Sequence, residues 1–186
     1  MLEKVDRGLA AISNLCGVLA AVLFIAMLLN VTYDVSARYA FDSVSVGMQE
    51  LEWHLLSAAF LLAIPYAVQT DGHVRVDVFY ERASDRSKAI INLFGAIVFL
   101  LPFAILILWY GVGFTENAWS IGETSGDPGG LTHRWIIKSL IPISAGLLAL
   151  SGVGMITHAI LVLAGRAHYS EPTAAQSASP KKGALL

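Results

Sequence analysis

Four stretches without a formal charge, residues 8–33, 53–70, 89–115 and 139–165, are separated by segments that hold nearly every charge of the chain. They contain 26, 18, 27 and 27 residues. A hydrocarbon core of roughly 30 Å needs about 20 helical residues at about 1.5 Å each. The pattern predicts an all-α integral membrane protein with four transmembrane helices at about 8–33, 53–70, 86–115 and 139–165. They form one membrane domain over 1–168, followed by a disordered cytoplasmic tail at 169–186 rich in Ala, Ser and Pro. The first stretch is too long for the h-region of a cleaved signal peptide and reads as a retained helix. Alternation of polar and apolar residues occurs from His73 to Val78. With no sheet to join, that segment reads as an amphipathic element lying in the interface between helices two and three.

Prolines and caps refine the boundaries. Pro65 falls inside the second helix and leaves the Leu61 carbonyl, four residues back, without its usual donor. Pro102 should bend the third helix near Val98, and Ser84 or Asp85 can cap its start. Pro142 falls in the tolerated first turn of a fourth helix that begins near Ser139. Residues 116–138, with four glycines and Pro128, read as turns.

Basic residues orient the helices. Lys4 and Arg7, then Arg75, Arg82, Arg86 and Lys88, then Arg166, Lys181 and Lys182 fall on one side, nine in all; Arg38, Arg134 and Lys138 make three on the other. Cytoplasmic loops carry the excess of Lys and Arg, so both termini are expected in the cytoplasm and the loops after helices one and three outside.

Composition narrows the chemistry. The chain is 56% hydrophobic and 14% charged, with a net charge of −2, and no basic stripe marks it for nucleic acid. Cys16 is the single cysteine and reads as apolar filler, without a partner for a disulfide or a CxxC site. A transporter or membrane enzyme needs ionisable groups at membrane depth, and besides Cys16 only His158 lies well inside a stretch. It is expected to bond its own helix or reach toward the surface. A haem would need a second histidine facing it, and His54 belongs at the opposite surface. Glu50 and His54 share a helix face, but no third metal ligand is placed beside them. No cofactor is therefore expected. At the outer border, Arg38 can pair with Glu50 or Glu52 and tie helix one to helix two; the alternative is that all three merely solvate the surface. On the cytoplasmic side Asp71, His73, Arg75 and Asp77 can meet a partner or lipid head groups, or be ordinary interfacial charges. These, with Trp53, Arg134 and Lys138, are the candidate helix–helix or partner-contact residues. By elimination the chain reads as an accessory subunit that packs on a larger one. Two other classes stay open: a membrane redox or haem-carrying subunit, and a self-sufficient small oligomeric channel or exporter.

The borders, taken in order, carry a family resemblance. Ser36-Ala37-Arg38-Tyr39-Ala40-Phe41 is followed by Glu50-Leu51-Glu52-Trp53-His54, then by Asp71-Gly72-His73-Val74-Arg75-Val76-Asp77 and by Gly129-Gly130-Leu131-Thr132-His133-Arg134-Trp135-Ile136-Ile137-Lys138. Across roughly residues 5–165 this resembles the small membrane, DctQ-type, subunit of tripartite ATP-independent periplasmic (TRAP) transporters. The resemblance implies a bacterial inner-membrane protein without catalytic or substrate site of its own. Its partners would be a large multi-pass TRAP subunit, a periplasmic substrate-binding protein and membrane lipids. It further implies sodium-driven uptake of organic acids, with this chain packed on the static scaffold of the large subunit and helping to dock the binding protein.

Overall fold

The computed structural model describes residues 2–70 and 83–169, with side chains from residue 5 onward. Every regular element among them is helical: α1 Leu2–Phe41, α2 Val46–Gln69, α3 Asp85–Ser120 and α4 Trp135–Leu163. All four are long and apolar enough to cross a membrane. The expected amphipathic segment and the tail beyond residue 169 lie outside the described residues.

The helices run past the apolar stretches that announced them. α1 ends at Phe41 rather than near residue 33, and α2 starts at Val46 rather than 53. Loop one is therefore residues 42–45, a tight turn and not the long connection implied by helices ending at 33 and starting at 53. Hydropathy marks where lipid ends, whereas a helix ends where its caps are. α1 stops because Asp42 takes a left-handed conformation (φ 47°), which Asp tolerates better than most residues. The Ser43 N–H then folds back onto the Ala37 carbonyl at 3.3 Å. Ser45 opens α2 as an extended N-cap, its hydroxyl accepting from the Met48 N–H. Ser84, one of the two expected caps, does the same for α3 with Ser87.

The prolines are handled in three ways. Around Pro102 the expected disturbance takes the form of a π-helical turn, Ala96–Leu100, in which the Leu101 N–H reaches five residues back to the Ala96 carbonyl. Pro142 is a correction: α4 begins at Trp135, so the proline sits about two turns inside the helix. Its ring packs tightly on α3, since a Cβ on Gly111 would stand 3.2 Å from it. Pro65 is compensated across the helix interface. The freed Leu61 carbonyl accepts the Ser144 hydroxyl of α4 at 2.5 Å, and the Pro65 carbonyl accepts the Ser151 hydroxyl at 3.1 Å. Ser151 is 1% exposed and also shares a hydrogen bond with Ser13 of α1 at 3.1 Å. In lipid no water can satisfy these groups, so serines on a neighbouring helix do so.

Packing follows from small residues. α1 lies along α2, α2 along α4, and α4 also meets α1 and α3. The buried positions at these contacts are mostly Ala, Ser and Gly, such as Ala58, Ala59, Ala104, Ala145, Ser144 and Gly152. A Cβ on Gly17 would fall 2.6 Å from the Tyr66 ring, so only glycine lets α1 approach α2 there. α3 touches the rest essentially through α4, and α1 and α3 share no substantial contact. The helices thus form an open layer in which α1, α2 and α4 pack on one another and α3 is attached to α4, rather than a closed four-helix bundle.

Candidate functional site

At the end of the layer opposite the termini, residues 121–134 fold down onto α2 and are held by one carboxylate. Glu50, in the second turn of α2, accepts the Leu131 backbone N–H at 2.6 Å and the Ser125 hydroxyl. The loop is closed on itself by Ser125 N–H to the Leu131 carbonyl, Gly130 N–H to the Asp127 carbonyl and Arg134 N–H to the Glu123 carbonyl. Gly130 has to be glycine: a Cβ there would sit 2.5 Å from Ser125 and 2.9 Å from the Glu50 carboxylate. The loop returns into α4 through Lys138, whose ammonium bonds Glu123 at 2.5 Å and lies 4.1 Å above the Phe114 ring. Trp119 and Trp135 meet edge to face at 4.4 Å where α3 leaves and α4 begins.

This geometry sorts the residues named from the sequence. Arg38 does not pair with Glu50 or Glu52. It bonds Asp34 one turn back on its own helix at 2.5 Å. Asp34 is 4% exposed, so the arginine neutralises a buried carboxylate rather than bridging two helices. The tie between α1 and α2 comes instead from Asn30, whose amide donates to the Met48 carbonyl at 2.9 Å. Glu52 is half-buried with no hydrogen-bond or ion-pair partner among the described residues. Trp53 is 68% exposed. Arg134 enters the loop clasp and Lys138 anchors it, so these two and Glu50 form one assembly. Asp71, His73, Arg75 and Asp77 lie outside the described residues.

The groups weighed for redox or metal chemistry are engaged elsewhere. Nδ1 of His54 bonds the backbone carbonyl of Glu50 at 2.6 Å, while the Glu50 carboxylate faces the loop, so the two do not converge on a common point. His158 is partly exposed, its side chain 24% accessible, and no bond to its own helix is found among the described residues: its Nδ1 faces Asp6 of α1 at 3.8 Å and its ring stands edge-on to Tyr169 at 5.1 Å. Among the described residues no group of three or more His, Cys, Asp or Glu is placed to hold a metal.

What remains is surface. One face of α1 exposes Leu15, Val18, Val22, Ile25 and Leu29 at a spacing of three and four, and α3 exposes Phe94, Phe99, Phe103, Trp109 and Tyr110. Apolar exposure on this scale exceeds anything a monomer tolerates in water and belongs to lipid or a partner.

Reasoning from the sequence missed Ser13, Asn30, Ser144, Ser151 and Ser125. Serine and asparagine in a long apolar stretch are the available signal, since such residues in membrane helices seek partners across the interface.

A search of curated proteins finds no match to the chain. The family model of the tripartite ATP-independent periplasmic transporters, DctQ component, matches residues 27–161, a span that takes in the last part of α1 from residue 27, all of α2 and α3, and nearly all of α4. The chain therefore belongs to the DctQ family, the small inner-membrane subunits of TRAP transporters, which work with a large membrane subunit and a periplasmic binding protein.

Proposed function

We propose that this chain is the non-catalytic small permease subunit of a sodium-coupled TRAP importer of organic acids. It packs on the scaffold of the large subunit and helps the binding protein dock, with both termini in the cytoplasm and the 121–134 loop facing the periplasm. The observation that carries this reading is where the polar side chains go. Ser13, Asn30, Ser144 and Ser151 are spent joining α1, α2 and α4, and Glu50 is spent on the loop. Such bonds make a rigid wall, whereas a solute path needs polar groups turned to a cavity. The open layer, with α3 attached along one side only, leaves long apolar faces for a larger subunit. The nine-to-three split of basic residues supports the orientation. The segment with Asp71, His73, Arg75 and Asp77 then lies at the cytoplasmic interface against head groups or the partner.

The test is reconstitution. Liposomes with this chain and the large subunit, supplied with the binding protein, should take up an organic acid in a sodium-dependent way. Liposomes with this chain alone should not. Substrate-dependent sodium binding by the isolated chain would overturn the proposal.

A further inference from the structure

We propose that the groove between α3 and α4, at the loop end of the layer, binds one phospholipid with an ammonium head group. The amine sits on Glu116 and one acyl chain lies along the groove. The groove is an open trough of about 610 Å³. It runs from Trp119 and Trp135 at its mouth, past Val112 and Ile143, to Leu108 and Gly146 at its foot. At the foot the position of a Gly146 Cβ is 4.0 Å from the Leu108 side chain, an ordinary van der Waals contact, and midway along the floor Pro142 packs more tightly on Gly111. Eleven residues separate mouth from foot on each helix, about 16 Å of rise. Half of a bilayer core is about 15 Å. The groove thus spans one leaflet, from the belt where tryptophans settle to the midplane.

Its walls ask for hydrocarbon. The two hydroxyls that line it are occupied by their own helices, Thr115 on the Gly111 carbonyl at 2.9 Å and Ser139 on the Ile136 carbonyl at 2.6 Å. Neither is left to hold a polar ligand at depth. The mouth asks for a cation. Glu116 is the one charged residue of the lining, is exposed, and has no hydrogen-bond or ion-pair partner among the described residues. Lys138, the cation of the neighbouring loop clasp, is committed to Glu123 and Phe114. A carboxylate at the edge of a water-poor apolar slot attracts an ammonium and repels an anionic head group. Phosphatidylethanolamine offers both halves of this pattern; phosphatidylglycerol offers only the chain. A helix of the large subunit seated in the groove is the competing occupant and would have to bring its own basic side chain to Glu116. The inference does not depend on which side of the membrane the loop faces.

The experiment is native mass spectrometry of the full-length chain, alone and in complex with the large subunit, given phosphatidylethanolamine and phosphatidylglycerol with identical acyl chains. The expected result is one retained lipid with a preference of about fivefold for the ethanolamine, the size one partly exposed charge pair supports. Glu116→Gln should level the two lipids, and Gly146→Leu, which fills the foot of the groove, should reduce retention of both. Equal retention by the unaltered protein, a preference that survives Glu116→Gln, or full retention in Gly146→Leu would each overturn the proposal. A photoreactive residue at Val112 in the complex should label lipid; labelling of the large subunit instead would assign the groove to protein and overturn it too.

Discussion

Replacing Ser144 with alanine should cost more stability than an ordinary interhelical hydrogen bond, because the bond it removes has no substitute. Pro65 has taken away the N–H that would otherwise bond the Leu61 carbonyl, and Ser144, 4% exposed, supplies the donor from α4 at 2.5 Å. An average interhelical bond in a membrane protein contributes about 0.6 kcal/mol and rarely more than about 1.7. A buried carbonyl left without any donor costs about 1–3 kcal/mol. The substitution should therefore cost about 1.5 kcal/mol. If the reason is the proline, restoring the backbone donor with Pro65→Ala should shrink the effect of Ser144→Ala to about 0.5 kcal/mol, a coupling of about 1 kcal/mol. Reversible unfolding of the four proteins in mixed micelles, followed by circular dichroism, gives all the numbers. The packing lost with the proline ring cancels in the cycle. A coupling below about 0.3 kcal/mol, the range of independent sites, would refute the idea that Ser144 replaces the proline's missing donor.

Three further outcomes follow from the same geometry. Arg38→Ala strands the buried Asp34 carboxylate and should cost about 3 kcal/mol in micelle unfolding; exchanging the charges of Arg38 and Asp34 should recover part of it, while exchanging those of Arg38 and Glu50 should recover none. Glu50→Ala removes two charge-assisted hydrogen bonds from the 121–134 loop; amide exchange at Leu131 should quicken by roughly tenfold, and an unchanged rate would mean that the loop is held by Lys138 and Glu123 instead. Gly17→Val should push α1 off the Tyr66 ring and lower thermal stability, with alanine less harmful than valine, as read from the melting curves of the detergent-solubilised protein.

The four crossings were legible in the sequence because burial in lipid is a demand on every side chain of a long stretch, and such a demand shows up as composition. Helix ends were less legible. Residues 34–41, 46–52 and 116–120 are polar enough to leave the bilayer yet remain helical, since only a cap such as Asp42 or Ser45 ends them. Pro65 announced an orphaned carbonyl at Leu61, but nothing local named its donor, which lies 83 residues further along the chain. Arg38 shows the same limit from the other side. Asp34, Glu50 and Glu52 were all within reach by sequence, and the choice fell on the one already buried, where an unpaired charge costs most. The loop clasp at Glu50 combines a backbone N–H with a serine hydroxyl, and neither of these carries a sequence signal of its own. The family blocks around Glu50 and Gly130 marked the place without giving its contacts.

The polar contacts of α4 carry a mechanical consequence. Ser144, Ser151 and His158 recur every seven residues and face Leu61 of α2, Pro65 of α2 together with Ser13 of α1, and Asp6 of α1. A one-turn slide of α4, about 5.4 Å, would put Leu147, Leu148, Gly154 or Met155 opposite the Pro65 carbonyl, and none of those side chains can donate. The helix is notched against piston-like travel. Three contacts in one register thus couple α1, α2 and α4 along their length, and sliding α4 breaks all three together.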